Sequence, residues 1–240
     1  MSRPTAYAIF DLDGTLHPGT LGLSLLRALV DDGLCDRQQV ERLVCFLRGV
    51  GADELRVPAR AEIAYRLYAQ AIAGVPAFRV HHMARRVWQR EREAMFAYVL
   101  PLLAALAARS YRTVLISGSP DEIVRVVAVD LGINFCQGAV FAAPGATYNE
   151  EVVVAPGVLG GKVQILRDLL EDQQVDLAHS AAVGNSASDV ELLSVVGHPV
   201  AFEPSDPLRI VAVRHGWPIT DRHHGFSRFL AAVVGSGGIE

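Results

Sequence analysis

Three observations predict an α/β fold in which a parallel-sheet core is interrupted by a helical insert. Short apolar runs at 7–10, 113–116 and 181–183 each stop abruptly on a polar or glycine-containing loop, as buried strands do where they meet a ligand-binding edge. Helix-opening signals follow the second and third of these loops. Between the first run and the other two, from 20 to about 92, apolar residues recur at helical spacing.

The first run belongs to the stretch AYAIFDLDGTL at 6–16. Residues 7–10 are too few for a helix and mix apolar, aromatic and β-branched side chains, while Gly14 supplies the turn that follows. Asp11 and Asp13 then stand at the carboxyl end of a strand. At positions i and i+2 of extended backbone their carboxylates point the same way, so one site can hold a nucleophile, an acid/base and a cation. An ordinary acidic turn is one competing explanation for the pair taken alone, and a calcium loop is the other. Such a loop requires a third oxygen ligand before the glycine, a closing glutamate and an upstream helix, none of which is present.

In the insert, Leu21, Leu25, Leu26 and Leu29 mark one helix; Val40, Leu43, Val44 and Leu47 a second; Ile63, Leu67 and Ala71 a third; Met83, Val87 and Ala94 a fourth. Gly33, Gly49 to Gly51 and Gly74 to Pro76 separate them. Residues 18–95 hold twelve arginines and nine acids, a surplus of +3 that leaves -7 for the rest of the chain. Such charges serve either a solvated helical surface or a lid that recruits an anion. His81 and His82 project about 100° apart on a helix and read as surface residues.

After a helix at 99–108 and the strand at 113–116 comes Ser117-Gly118-Ser119-Pro120. Ser119 with Glu122 forms a capping-box pattern, and Pro120 suits a first helical turn, so a helix is expected from here to 131. Ser117 is either a simple turn residue or, with the amides of that helix, part of an anion cradle. Residues 140–141 and 152–154 read as short strands or a hairpin. Gly160-Gly161-Lys162 opens a helix to 170. The strand at 181–183 runs into Gly184-Asn185-Ser186-Ala187-Ser188-Asp189, where Ser188 and Glu191 suggest a second capping box and Asp189 falls in a first helical turn. A strand at 199–202, a helix at 207–215, a short strand at 217–219 and a frayed tail at 235–238 complete the chain.

Composition narrows the function. Half of the 240 residues are apolar, enough for a sizeable core, and the formal charge of -4 gives no reason to expect nucleic acid or an anionic membrane as partner. Cys35, Cys45 and Cys136 form no metal-binding or redox spacing and read as reduced thiols. The apolar run before Asp11 is only five residues long, and no window approaches the roughly 20 of a membrane span, so a cytoplasmic protein is expected. The chain has 21 arginines and one lysine, Lys162. Retention by chance is one explanation; a site that requires a compact ammonium rather than a guanidinium is the other.

The four loops, carrying Asp11/Asp13, Ser117, Lys162 and Asn185/Asp189 in that order, together resemble the haloacid dehalogenase superfamily. The similarity is to its phosphoserine-phosphatase-like branch and covers nearly the whole chain. It implies a Rossmann-like core at 1–17 and 96–240 and a helical cap at 18–95. It further implies a Mg²⁺-dependent phosphatase in which Asp11 attacks phosphorus to form an aspartyl-phosphate and Asp13 serves as general acid and base. Ser117, Gly118 and Lys162 would bind the phosphoryl oxygens, and Asp11, Asp13, Asn185 and Asp189 the metal. Asp13 argues against halide release, which needs no proton donor. The resemblance departs at Asn185, where the branch usually has an aspartate; the amide brings no charge, so weaker magnesium binding, or a noncatalytic phospholigand-binding protein, is the alternative. Gly14 and Thr20 also stand where phosphoserine phosphatases usually have serine and glutamate. The expected substrate is therefore another small phosphorylated metabolite; the oligomeric state is left open.

Overall fold

The structure, a computed structural model, describes residues 5–49 and 57–234 of the chain. The glycine at 51 and the tail at 235–238 lie outside the described residues. The first strand, β1 (Tyr7–Phe10), is fully buried, and its alternation divides the interior. Tyr7 and Ile9 join the apolar cluster on one face of the sheet, whereas Ala8 and Phe10 join the larger cluster on the other.

Four helices follow: α1 (Leu21–Asp31), α2 (Arg37–Arg48), α3 (Val57–Ile72) and α4 (Ala77–Glu91). They match the four periodic segments, although Ala94 falls beyond α4 in a short 3-10 turn. Asp36 starts α2 by accepting the amides of Gln38 and Gln39. Leu21, Leu25 and Leu29 of α1 and Val80, Met83 and Val87 of α4 belong to the same cluster as Phe10, so the insert is packed continuously with one face of the sheet.

The core resumes with α5 (Val99–Ala107), β2 (Arg112–Pro120), α6 (Asp121–Leu131), β3 (Phe135–Phe141) and β4 (Val152–Val154). It continues through α7 (Gly161–Leu169), β5 (Ala181–Gly184), α8 (Val190–Ser194), β6 (His198–Phe202), α9 (Asp206–His215), β7 (Ile219–Thr220) and α10 (Gly225–Val234). The seven strands are ordered β4-β3-β2-β1-β5-β6-β7, parallel except for β4, which pairs antiparallel with β3. The chain runs outward from β1 to β4 and then crosses back to β5. The crevice beyond the carboxyl ends of β1 and β5 is the topological switch point, where open α/β sheets bind ligands.

Three local expectations are corrected. No capping box forms between Ser119 and Glu122: the backbone stays extended through Pro120 and α6 begins at Asp121, which frees the Ser119 hydroxyl for Asp13 while Glu122 accepts from the Tyr148 hydroxyl. The second box joins Ser186 and Asp189 rather than Ser188 and Glu191; Glu191 instead accepts the Gly160 amide. Finally, α10 forms in a stretch that the sequence reading left unassigned. Its Phe229 is buried and stacks on Phe10 at 5.6 Å, so this helix covers β1 from the larger cluster.

Candidate active site

β1 ends at the switch point, and Asp11 follows it directly, its amide held by the Val183 carbonyl of β5 at 3.1 Å. Lys162 reaches the same place from the first turn of α7. Gly161 makes this approach possible, because a Cβ there would stand 2.7 Å from the Ala155 carbonyl and 2.9 Å from that of Pro156. The Lys162 ammonium donates to Asp11 Oδ1 at 2.6 Å and to Asp189 Oδ1. All three residues are at least 95 % buried. The other Asp189 oxygen accepts the amides of Asn185 and Ser186 and the Ser186 hydroxyl, which fixes the loop after β5 to the same centre.

Asp13 lies on the side of the loop that faces the insert. Its Oδ1 accepts the Leu21 amide at 2.9 Å, so it caps α1 from outside the helix, and its Oδ2 accepts the Ser119 hydroxyl at 2.5 Å. Ser119 Oγ in turn accepts the Gly22 amide, and the Ser119 amide donates to Ser117 Oγ. The 117–119 stretch departs from the β2–β3 register, which leaves Gly118 exposed at the site. Asn185 stands against Gly14: a Cβ on Gly14, whose φ is +77°, would be 1.9 Å from the Asn185 side-chain nitrogen.

Burial pushes the Asp11 carboxyl up to about 7, against the pull of Lys162 and with a further push from Asp189. Burial also raises Asp13, although the Ser119 hydroxyl and the Leu21 amide favour its ionised form. Lys162 is raised above its ordinary value because the two carboxylates outweigh its own desolvation. With Asp11, Asp13, Asp189 and Lys162 all ionised, the centre carries two uncompensated negative charges. Hard oxygen donors and uncompensated negative charge suit a small divalent cation. Among the described residues, no three Asp, Glu, His or Cys side chains are placed to hold such an ion by themselves. The Asn185 amide and the main chain would have to contribute.

The structure thus brings Asp11, Lys162 and Asp189 into direct contact, links Asp13 to Ser117 through Ser119, and sets Asn185 beside the Asp11–Gly14 loop. Three contributors escaped the sequence reading. Thr15 donates to Asp11 Oδ2 at 3.3 Å, Ser119 acts on Asp13 rather than as a cap, and Tyr65 of α3 accepts the Gly157 amide while its hydroxyl faces Gly118. Thr15 had a signal, its place beside the two acids. Tyr65 had none, since it arrives from a distant helix. A cavity of about 450 Å³ opens between the insert and the core, with Asp13, Gly118 and Ser119 on its floor.

The model of the haloacid dehalogenase-like hydrolase family matches residues 8–194. The chain belongs to that family. This member of the haloacid dehalogenase-like hydrolases is 28 % identical over 232 residues to the "Inhibition of morphological differentiation protein" of Streptomyces azureus, covering 92 % of this chain and 80 % of the relative. It is 26 % identical over 223 residues to a probable phosphatase of Mycobacterium tuberculosis, covering 90 % and 75 %. A phosphoserine phosphatase solved as a phospho-aspartyl intermediate analogue shares the fold with a TM-score of 0.65 at 16 % identity, over 92 % of this chain and 94 % of that one.

Proposed function

We propose that this hydrolase is a phosphatase of a small phosphomonoester, with Asp11 as nucleophile and Asp13 as general acid and base. The observation that carries the reading is the contact of the single lysine with Asp11 at 2.6 Å and with Asp189, at the carboxyl edge of β1 and β5. A buried ammonium fixes the attacking carboxylate and offers positive charge to the phosphoryl oxygens. The phosphatase named among the relatives supports the same reading.

An Asp11 carboxylate oxygen forms the bond to phosphorus as the bond to the leaving alcohol breaks, and Asp13 delivers its proton to the departing oxygen. Burial, which keeps Asp13 protonated to higher pH, suits that first role. Water then attacks the aspartyl-phosphate, Asp13 takes its proton, and inorganic phosphate leaves with Asp11 restored. The Ser117 hydroxyl, the exposed Gly118 amide and Lys162 bind the phosphoryl oxygens, and the four helices of the insert act as a cap. Asp11, Asp13, Asn185 and Asp189 would hold Mg²⁺, and the three carboxylates, whose oxygens all have hydrogen-bond partners, would share them with the ion. Bound there, the ion would screen the repulsion between the anionic nucleophile and the ester.

Asn185 favours a second reading, a phospholigand-binding protein with reduced turnover. Phosphate release from an aryl phosphate, with and without Mg²⁺, separates the two. Metal-dependent release that disappears in Asp11→Asn is the expected result. An inert wild type with an active Asn185→Asp variant would transfer the case to the second reading.

A further inference from the structure

The cavity above Asp13 is built for a particular kind of leaving group. Its cap-side wall is made by Leu43, Phe46 and Leu47 of α2 and Ala64 and Tyr68 of α3, and Phe141 closes it from β3. Tyr68 stacks on Phe141 at 5.0 Å and spends its hydroxyl on the Gly22 carbonyl, so it presents a ring face rather than a polar group. Leu47 is 39 % exposed although its neighbours on the same helix face are packed. Among the described residues that line the cavity, the charged side chains are Asp13 on the floor and Arg60 on α3. Among the described residues, the wall offers no carboxylate apart from Asp13 to balance a substrate ammonium, and the cavity's volume of about 450 Å³ is that of a site for a ligand larger than phosphoserine.

Resting on the phosphatase reading, we propose that the substrate is the phosphomonoester of a predominantly apolar alcohol, an alkyl or aryl group without an ammonium near the ester. Its phosphoryl group sits at Asp11 and its apolar body lies against α2 and α3. Desolvation of that body selects it. An amino-acid phosphate is rejected because its ammonium would be buried without a counter-charge.

The test is kcat/KM for ethyl, butyl, hexyl and octyl phosphate beside O-phosphoserine and propyl phosphate, with Mg²⁺ present. Burial of each methylene is expected to raise kcat/KM about threefold to fourfold until the chain leaves the cavity, with phosphoserine at least about tenfold below propyl phosphate. Leu47→Glu should flatten the chain-length dependence, and Leu47→Met should keep it. Turnover that is flat with chain length, or best with phosphoserine, would overturn the substrate class and leave the phosphatase reading standing. Failure to turn over any ester would remove the phosphatase reading. The same chain lengths as alkylphosphonates, read by calorimetry, would then decide the cavity alone: tightening with length supports it and equal affinities overturn it.

Discussion

Lys162 is the counter-ion of two buried carboxylates, and losing it leaves both without a counter-charge. Lys162→Met should cost about 3 to 5 kcal/mol in urea unfolding at pH 8 without metal. The cost should shrink at pH 5, where the raised Asp11 binds a proton and no longer needs the ammonium. A cost that is unchanged with pH would show that the carboxylates are not the residues it compensates. Gly14 is constrained from a different direction, by its positive φ and the Asn185 amide against it. Gly14→Ala should lower stability by more than about 1 kcal/mol and displace Asn185, which thermal unfolding with and without Mg²⁺ would register as a smaller metal-induced shift. Asn185→Asp adds a third uncompensated charge, so it should lower the metal-free Tm and tighten Mg²⁺ binding by about tenfold or more, measured by calorimetry. A variant no tighter than wild type would remove Asn185 from the metal set.

At the scale of elements, α1 begins on a residue of the candidate site. Its first amide is satisfied by Asp13 and the next by Ser119, so the helical insert is joined to the candidate site's loops at its first turn. At its other end, Trp88 of α4 and Arg92 both donate to Asp130 of α6. Asp130→Ala should cost about 1 kcal/mol in urea unfolding, because the indole donor is left partly buried without an acceptor. Most elements were legible in the sequence because periodicity and turn chemistry agree there: β1 is a short apolar run closed by Asp11, and the four helices of the insert follow their leucines and valines. The capping boxes were misplaced for a physical reason. Serine spacing shows that a hydroxyl is available, but Asp13 takes Ser119 and the Gly160 amide takes Glu191 only once loops distant in sequence lie side by side; the box that forms instead, Ser186 with Asp189, is local. The last helix was missed although Phe226, Phe229, Leu230 and Val233 carry a helical period, because its core face is defined by Phe10 at the opposite end of the chain.

For the whole molecule, the strand order determines which chemistry is assembled. Placing β1 between β2 and β5 brings loops from residues 11, 117 and 185 to one crevice, and α7 delivers Lys162 to it. Chain order foretold that set of loops; the apolar cavity, made by faces of α2 and α3 turned toward the core, was not visible in it. The site also links stability to pH. Asp11 titrates near 3.8 in an unfolded chain and is raised to about 7 in the fold, so the metal-free protein should lose stability as pH climbs through that window. Mg²⁺ held at Asp11 would replace the proton, so the gap between Tm values with and without the ion should widen over the same window; a gap independent of pH would contradict this. Among the described residues, no helix is long and apolar enough to cross a membrane. The most direct test of the account is to stop the reaction with acid during turnover of an aryl phosphate and weigh the peptides by mass spectrometry. The account predicts one phosphoryl group on the peptide that contains Asp11, absent from Asp11→Asn along with turnover. Turnover with no such adduct and an active Asp11→Asn enzyme would contradict it.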